Sequence, residues 1–112
     1  MDSRIRATVE HILRLLVAGD YEGAATLTAG IRLSAQEMCD AIQQYGRTLV
    51  LGPSVQLDAI DAIEVENANP KRWSVNVPLW TEEEGRSDLT LELTLIDRGA
   101  MLGAELDDIH VL

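Results

Sequence analysis

Few side chains in this sequence have the chemistry to act on, or hold, another molecule. His110 closely follows Asp107 and Asp108, and histidine with aspartate is a metal-ligand pairing. Three positions at the end of one strand do not converge on a single point, and the other histidine, His11, falls in the first helix. The reading therefore assigns no metal and no cofactor, and takes the group as an acidic patch beside a bulge. Glu82, Glu83 and Glu84 form a carboxylate run. Paired carboxylates do acid–base work only where burial separates their pKa values, so a run in a hairpin loop reads as a solvated turn. Arg86 and Asp88 beside it are expected to pair locally, which adds at most about 1 kcal/mol at a surface. Cys39, the single cysteine, sits beside Met38 on a helix and reads as a packed thiol. No Gly-rich phosphate loop follows a strand, and no basic patch with interleaved aromatics is present. Nucleotide binding by that route and nucleic-acid binding are thereby disfavoured, and no catalytic residue is assigned.

The elements that must position these side chains centre on residues 73–96. Trp73, Val75, Val77 and Leu79 share one parity, and Leu89, Leu91, Leu93 and Leu95 repeat it after a charged turn with Gly85. Period-two alternation turns one apolar face inward, and two such runs around a short polar loop predict an antiparallel hairpin. Two more strands are expected over 59–66 and 101–106. After Leu106 the apolar phase passes to Ile109 and Val111, as one extra residue in a β-bulge would shift it. Pro78 cannot donate to a ladder and belongs at a solvent-facing edge or a bulge. Residues 48–51 read as a short strand or a buried connection.

Upstream, Ile5, Val9, Ile12, Leu13 and Leu16 form the stripe of a helix over 3–18, capped by Ser3 or Asp2. A short helix over 21–29 follows, capped by Asp20 and ended by Gly30. A third helix over 35–45 carries the strongest local signal, a capping box of Ser34 and Glu37 with Leu33 and Met38 as a staple. Helices first and strands second indicate an α+β domain. The expected architecture is about three helices on one face of a four-stranded antiparallel meander, with a helical part over 1–46 and a sheet over 59–112. The outer parity of that sheet (Ser74, Asn76, Trp80, Thr90, Glu92, Thr94, Glu105) is wet or covered by a partner.

A chain of 112 residues is one domain's worth. Its net charge of −10 is unevenly placed. Residues 1–52 carry five basic and six acidic residues, whereas 53–112 carry four against thirteen, a balance of −9. Such a field repels nucleic acid and anionic membrane and attracts basic partners. The lone cysteine suits a reducing cytosol. No run approaches the ~20 apolar residues of a membrane span, and the N-terminus lacks the pattern of a secretory leader. A cytoplasmic protein is expected.

The run Val77-Pro78-Leu79-Trp80-Thr81-Glu82-Glu83-Glu84-Gly85-Arg86-Ser87-Asp88-Leu89-Thr90-Leu91 and the ending Asp107-Asp108-Ile109-His110-Val111-Leu112 resemble a family of small bacterial domains of unknown function. Tyr45-Gly46-Arg47-Thr48 is a weaker match. The resemblance implies no activity. Helices followed by a curved antiparallel sheet are also similar to the cystatin-like and nuclear-transport-factor-2-like α+β roll, whose members hold a pocket between sheet and helices and often dimerise through the sheet. Composition alone resembles the immunity proteins that neutralise bacterial toxins.

Two functional classes stay open. One is a non-enzymatic, immunity-like protein that binds a basic partner through its acidic sheet half, with Trp80, Glu92, Glu105, Arg86 and Asp88 as the interaction surface and a weak homodimer centred on Trp80. The other is a small-molecule or catalytic pocket lined by Tyr45, Trp73 and Cys39.

Overall fold

The computed structural model describes residues 2–29, 32–58 and 60–111. Helix α1 (Ser3–Val17) starts where the Asp2 side chain accepts from the Arg4 N–H, and it buries the whole predicted stripe. Helix α2 (Tyr21–Leu27) is capped by Asp20 as expected. Its predicted stop, Gly30, lies outside the described residues. Helix α3 (Ala35–Tyr45) has the complete capping box, and Gly46 ends it in the left-handed region.

Strand β1 (Leu49–Val50) settles the ambiguous stretch as a strand. The four-residue helix α4 (Val55–Asp58) was not foreseen. It is tied to α1 by an ion pair between Arg6 and Asp58. Strands β2 (Asp61–Glu64), β3 (Arg72–Thr81), β4 (Gly85–Asp97) and β5 (Leu102–Val111) form the predicted meander. Ala59, the expected start of β2, lies outside the described residues.

The described sheet therefore has five strands, not four. Its order is β1-β3-β4-β5, with β2 also pairing β3. Strands β1 and β2 share one flank of β3: β1 pairs with Trp80 and Thr81, and β2 with Trp73 to Asn76. Pro78 marks a register shift in the β3–β4 ladder, as a residue with no N–H should.

The inner parity of β3 and β4 is buried throughout and forms one core with the α1 stripe, Met38 and Ile42. Two apolar strand residues lie outside this core, and the second departs from the expected apolar phase. Ile63 of β2 is 61% exposed because its register partner is Ser74, so Ala62 faces inward instead. Val111 is 54% exposed at the end of β5, whereas Ile109 is buried.

Candidate functional site

The outer face of the sheet collects the polar side chains, and strand register sets its geometry. Asp61, Asn76, Glu92 and Asp108 form one row across four strands. Ile63, Ser74, Thr94 and Glu105 form the next, and Pro78, Thr90 and His110 lie on the other side. The shift between Glu92 and Leu93 turns Asp108 and His110 outward, where unbroken alternation from Leu106 would have pointed them at the core. A bulge re-aims side chains in this way.

His110 Nδ1 lies 3.1 Å from Oε2 of Glu92 and 3.3 Å from Oδ2 of Asp108. Both are ion-pair distances, yet Nδ1 is buried and makes no hydrogen bond. The ligand atoms of Glu92, Asp108 and His110 all lie within 4.8 Å of one another. Asp108 also accepts from the Ile109 N–H through Oδ1 at 2.9 Å. The neighbouring Asp107 is otherwise engaged: it accepts from the Thr94 hydroxyl at 2.7 Å and faces the Arg32 guanidinium at 3.2 Å. Sequence spacing placed Asp108 and His110 near a bulge but could not show Glu92 completing the group, because that contact crosses strands.

The other surface candidates lie toward the opposite end of β4. Arg86 is the cross-strand partner of Trp80. Trp80 is only partly exposed, since Val50 of β1 pairs beside it and its ring covers Gly85. A β-carbon added at Gly85 would sit 3.6 Å from Cζ3 of Trp80, at a backbone φ of +74°. Arg86 and Asp88 are both exposed, and no ion pair joins them among the described residues.

The carboxylate run is not simply a solvated turn. Glu83 accepts from the Thr48 N–H at 2.9 Å and the Thr48 hydroxyl at 3.1 Å. The N–H bond chiefly holds its carboxyl below the usual range. Glu84 accepts from the Tyr45 hydroxyl at 2.8 Å and the Thr81 hydroxyl at 3.1 Å. The Glu84 carboxylate in turn pushes the Tyr45 hydroxyl's pKa up. The turn between β3 and β4 thus clasps the end of α3 and the approach to β1.

Tyr45, Trp73 and Cys39 occupy three separate places. Tyr45 lines a groove of about 380 Å³ between α3 and the end of β5, with Ala41, Gln44, Leu89, Ile109, His110 and Val111. Cys39 lines a depression with Tyr21 and Gln36. Trp73 is buried at the far end of β3, with Arg4 and Lys71 each 5.9 Å from its ring centroid.

Residues 13–112 match the family model described as a domain of unknown function, DUF7668. The chain belongs to this family. No curated protein and no solved structure matches it. The matched region spans the last turn of α1, all later elements and every candidate residue named above. The family's description assigns no activity, so the chemistry has to be read from the geometry. No described helix is long and apolar enough to cross a membrane.

Proposed function

We propose that this protein is a non-enzymatic binding module whose acidic outer sheet face docks a partner with a basic surface. The observation that carries the reading is the row of Asp61, Asn76, Glu92 and Asp108, in which Glu92 and Asp108 are neighbours and Asp61 stands one strand beyond Asn76 on the polar face. The balance of −9 over residues 53–112 extends the same field, which accelerates encounter with a cationic surface. An immunity-like role toward a basic toxin in the bacterial cytoplasm is one form such a module takes. Trp80, opposite Arg86, supplies the apolar anchor that interfaces favour, with Asp88 on the same strand as Arg86 and Glu105 farther off in the row of Thr94, and the same face suits a weak homodimer. The test is retention of a partner from lysate by the immobilised protein at low and high salt, beside the triple variant Asp61→Asn, Glu92→Gln, Asp108→Asn. A basic protein held at low salt, released at high salt and lost by the variant is expected. An empty wild-type column at low salt refutes the reading.

The groove between α3 and β5 favours a second reading, a small-molecule site of the kind found in the cystatin-like and nuclear-transport-factor-2-like rolls. Its volume of about 380 Å³ falls within the range of ligand pockets, and its lining is mostly apolar. Fragment screening read on the Leu89 and Ile109 methyl resonances checks it. Hits that leave those methyls unshifted count against it.

A further inference from the structure

Glu92 and Asp108 are direct cross-strand partners, and like charges placed so destabilise a sheet. The bulge in β5 creates this opposition and sets His110 beside it on the same face. A buried ring nitrogen then lies 3.1 Å and 3.3 Å from two carboxylate oxygens, with hydrogen-bond geometry to neither. A nitrogen and two carboxylate oxygens so arranged can face one shared cation.

The distances suit one. Nitrogen and carboxylate ligands bind zinc at about 2.0–2.2 Å, which puts neighbouring ligand atoms roughly 3.0 Å apart in an octahedron and roughly 3.4 Å apart in a tetrahedron. Both observed separations fall near that interval. Topology explains the convergence. Asp108 and His110 are two residues apart on one outward face, and Glu92 stands opposite on the adjacent strand. The Ile109 N–H occupies Oδ1 of Asp108 and leaves Oδ2 for an ion. Such fixing of a ligand by its own hydrogen bond is the usual support of metal sites.

We propose that Glu92, Asp108 and His110 form a three-ligand site for a divalent transition-metal ion of the zinc type. The two carboxylates offset the ion's charge, and the imidazole favours zinc, iron or nickel over magnesium and calcium, which prefer all-oxygen sets. All three residues are partly exposed, so water completes the coordination. The site shares Glu92 and Asp108 with the docking face, so a bound ion and a basic partner would compete for these carboxylates, and titration of the metal in the absence of a partner tests the site by itself.

The experiment is calorimetric titration of the purified full chain with Zn²⁺, repeated with Co²⁺ to read its absorption bands. One ion per chain is expected, uncompeted by millimolar Mg²⁺. Glu92→Gln and His110→Ala should each weaken binding by more than about tenfold, the lower range seen when merely supporting residues are lost. His11→Ala and Cys39→Ser, which remove the chain's other imidazole and its only thiol, should leave it unchanged. Glu92→Gln is nearly isosteric, and its circular dichroism verifies the fold. The proposal is overturned if Zn²⁺ does not bind, or if binding survives both Glu92→Gln and His110→Ala. It also fails if His11→Ala or Cys39→Ser abolishes binding, or if Mg²⁺ displaces Zn²⁺ as it would from a diffuse acidic patch.

Discussion

Arg4 holds two carboxylates from opposite ends of the chain. Its guanidinium donates to Asp2 at 2.7 Å and to Asp97 at 2.8 Å, and to the Gly99 carbonyl. It also stands over Trp73. The Arg4 hydrogen bonds are the main reason that the Asp2 pKa falls to about 2 and that of Asp97 is lowered. A carboxylate whose folded pKa lies below its unfolded value stabilises the fold above the unfolded pKa, and that contribution disappears as pH falls through the folded one. The wild type should therefore lose stability between about pH 4 and about pH 2, the interval from the unfolded aspartate value to that of folded Asp2. Arg4→Gln should flatten this loss. Urea midpoints measured at pH 5, 3 and 2 check the difference between the two slopes. Equal slopes would remove Arg4 from the account. Because these groups are solvent-accessible, screening by salt should reduce the effect.

At the level of elements, α3 depends most on local chemistry. Its Ser34 hydroxyl accepts from the Glu37 N–H, while the Glu37 carboxylate accepts from the Ser34 N–H. Ser34→Ala should cost about 0.5–2 kcal/mol in a denaturant titration, the range for lost N-caps. This helix was legible in the sequence because caps and stripe lie within a dozen residues. The hairpin was legible because its parity runs unbroken through β3 up to Pro78 and through β4. The outward turn of Ile63 was not, because a four-residue strand takes its facing from its partner's register, not from its own composition. The two-residue β1 could not be separated from a buried connection, since it exists only through pairing with Trp80 and Thr81. The candidate site was half legible. The bulge, Asp108 and His110 were visible in sequence, but Glu92 enters only through register. The clasp of Glu83 and Glu84 on Thr48 and Tyr45 spans 35 to 39 residues of sequence, and no local pattern announces it.

For the molecule as a whole, charge and shape oppose each other. The outer face offers Trp80 as an anchor, but two copies of a half with a balance of −9 repel over the ~8 Å screening length of physiological salt. Self-association through this face should therefore strengthen as salt rises and weaken in Trp80→Ala. Sedimentation across a salt series checks both trends, and a monomer under every condition rejects the dimer. The sheet's flanks add a different constraint. One flank of β3 is taken in two pieces, by β2 and by β1, and the interval between them contains a proline that has no N–H to present. The other flank belongs to β5, which is bulged and carries Glu105, Asp107 and Asp108. Broken, charged and proline-interrupted borders block templated strand addition. Despite its ten- and thirteen-residue strands, the sheet formed by the described residues offers a fibril no straight seam on which to grow.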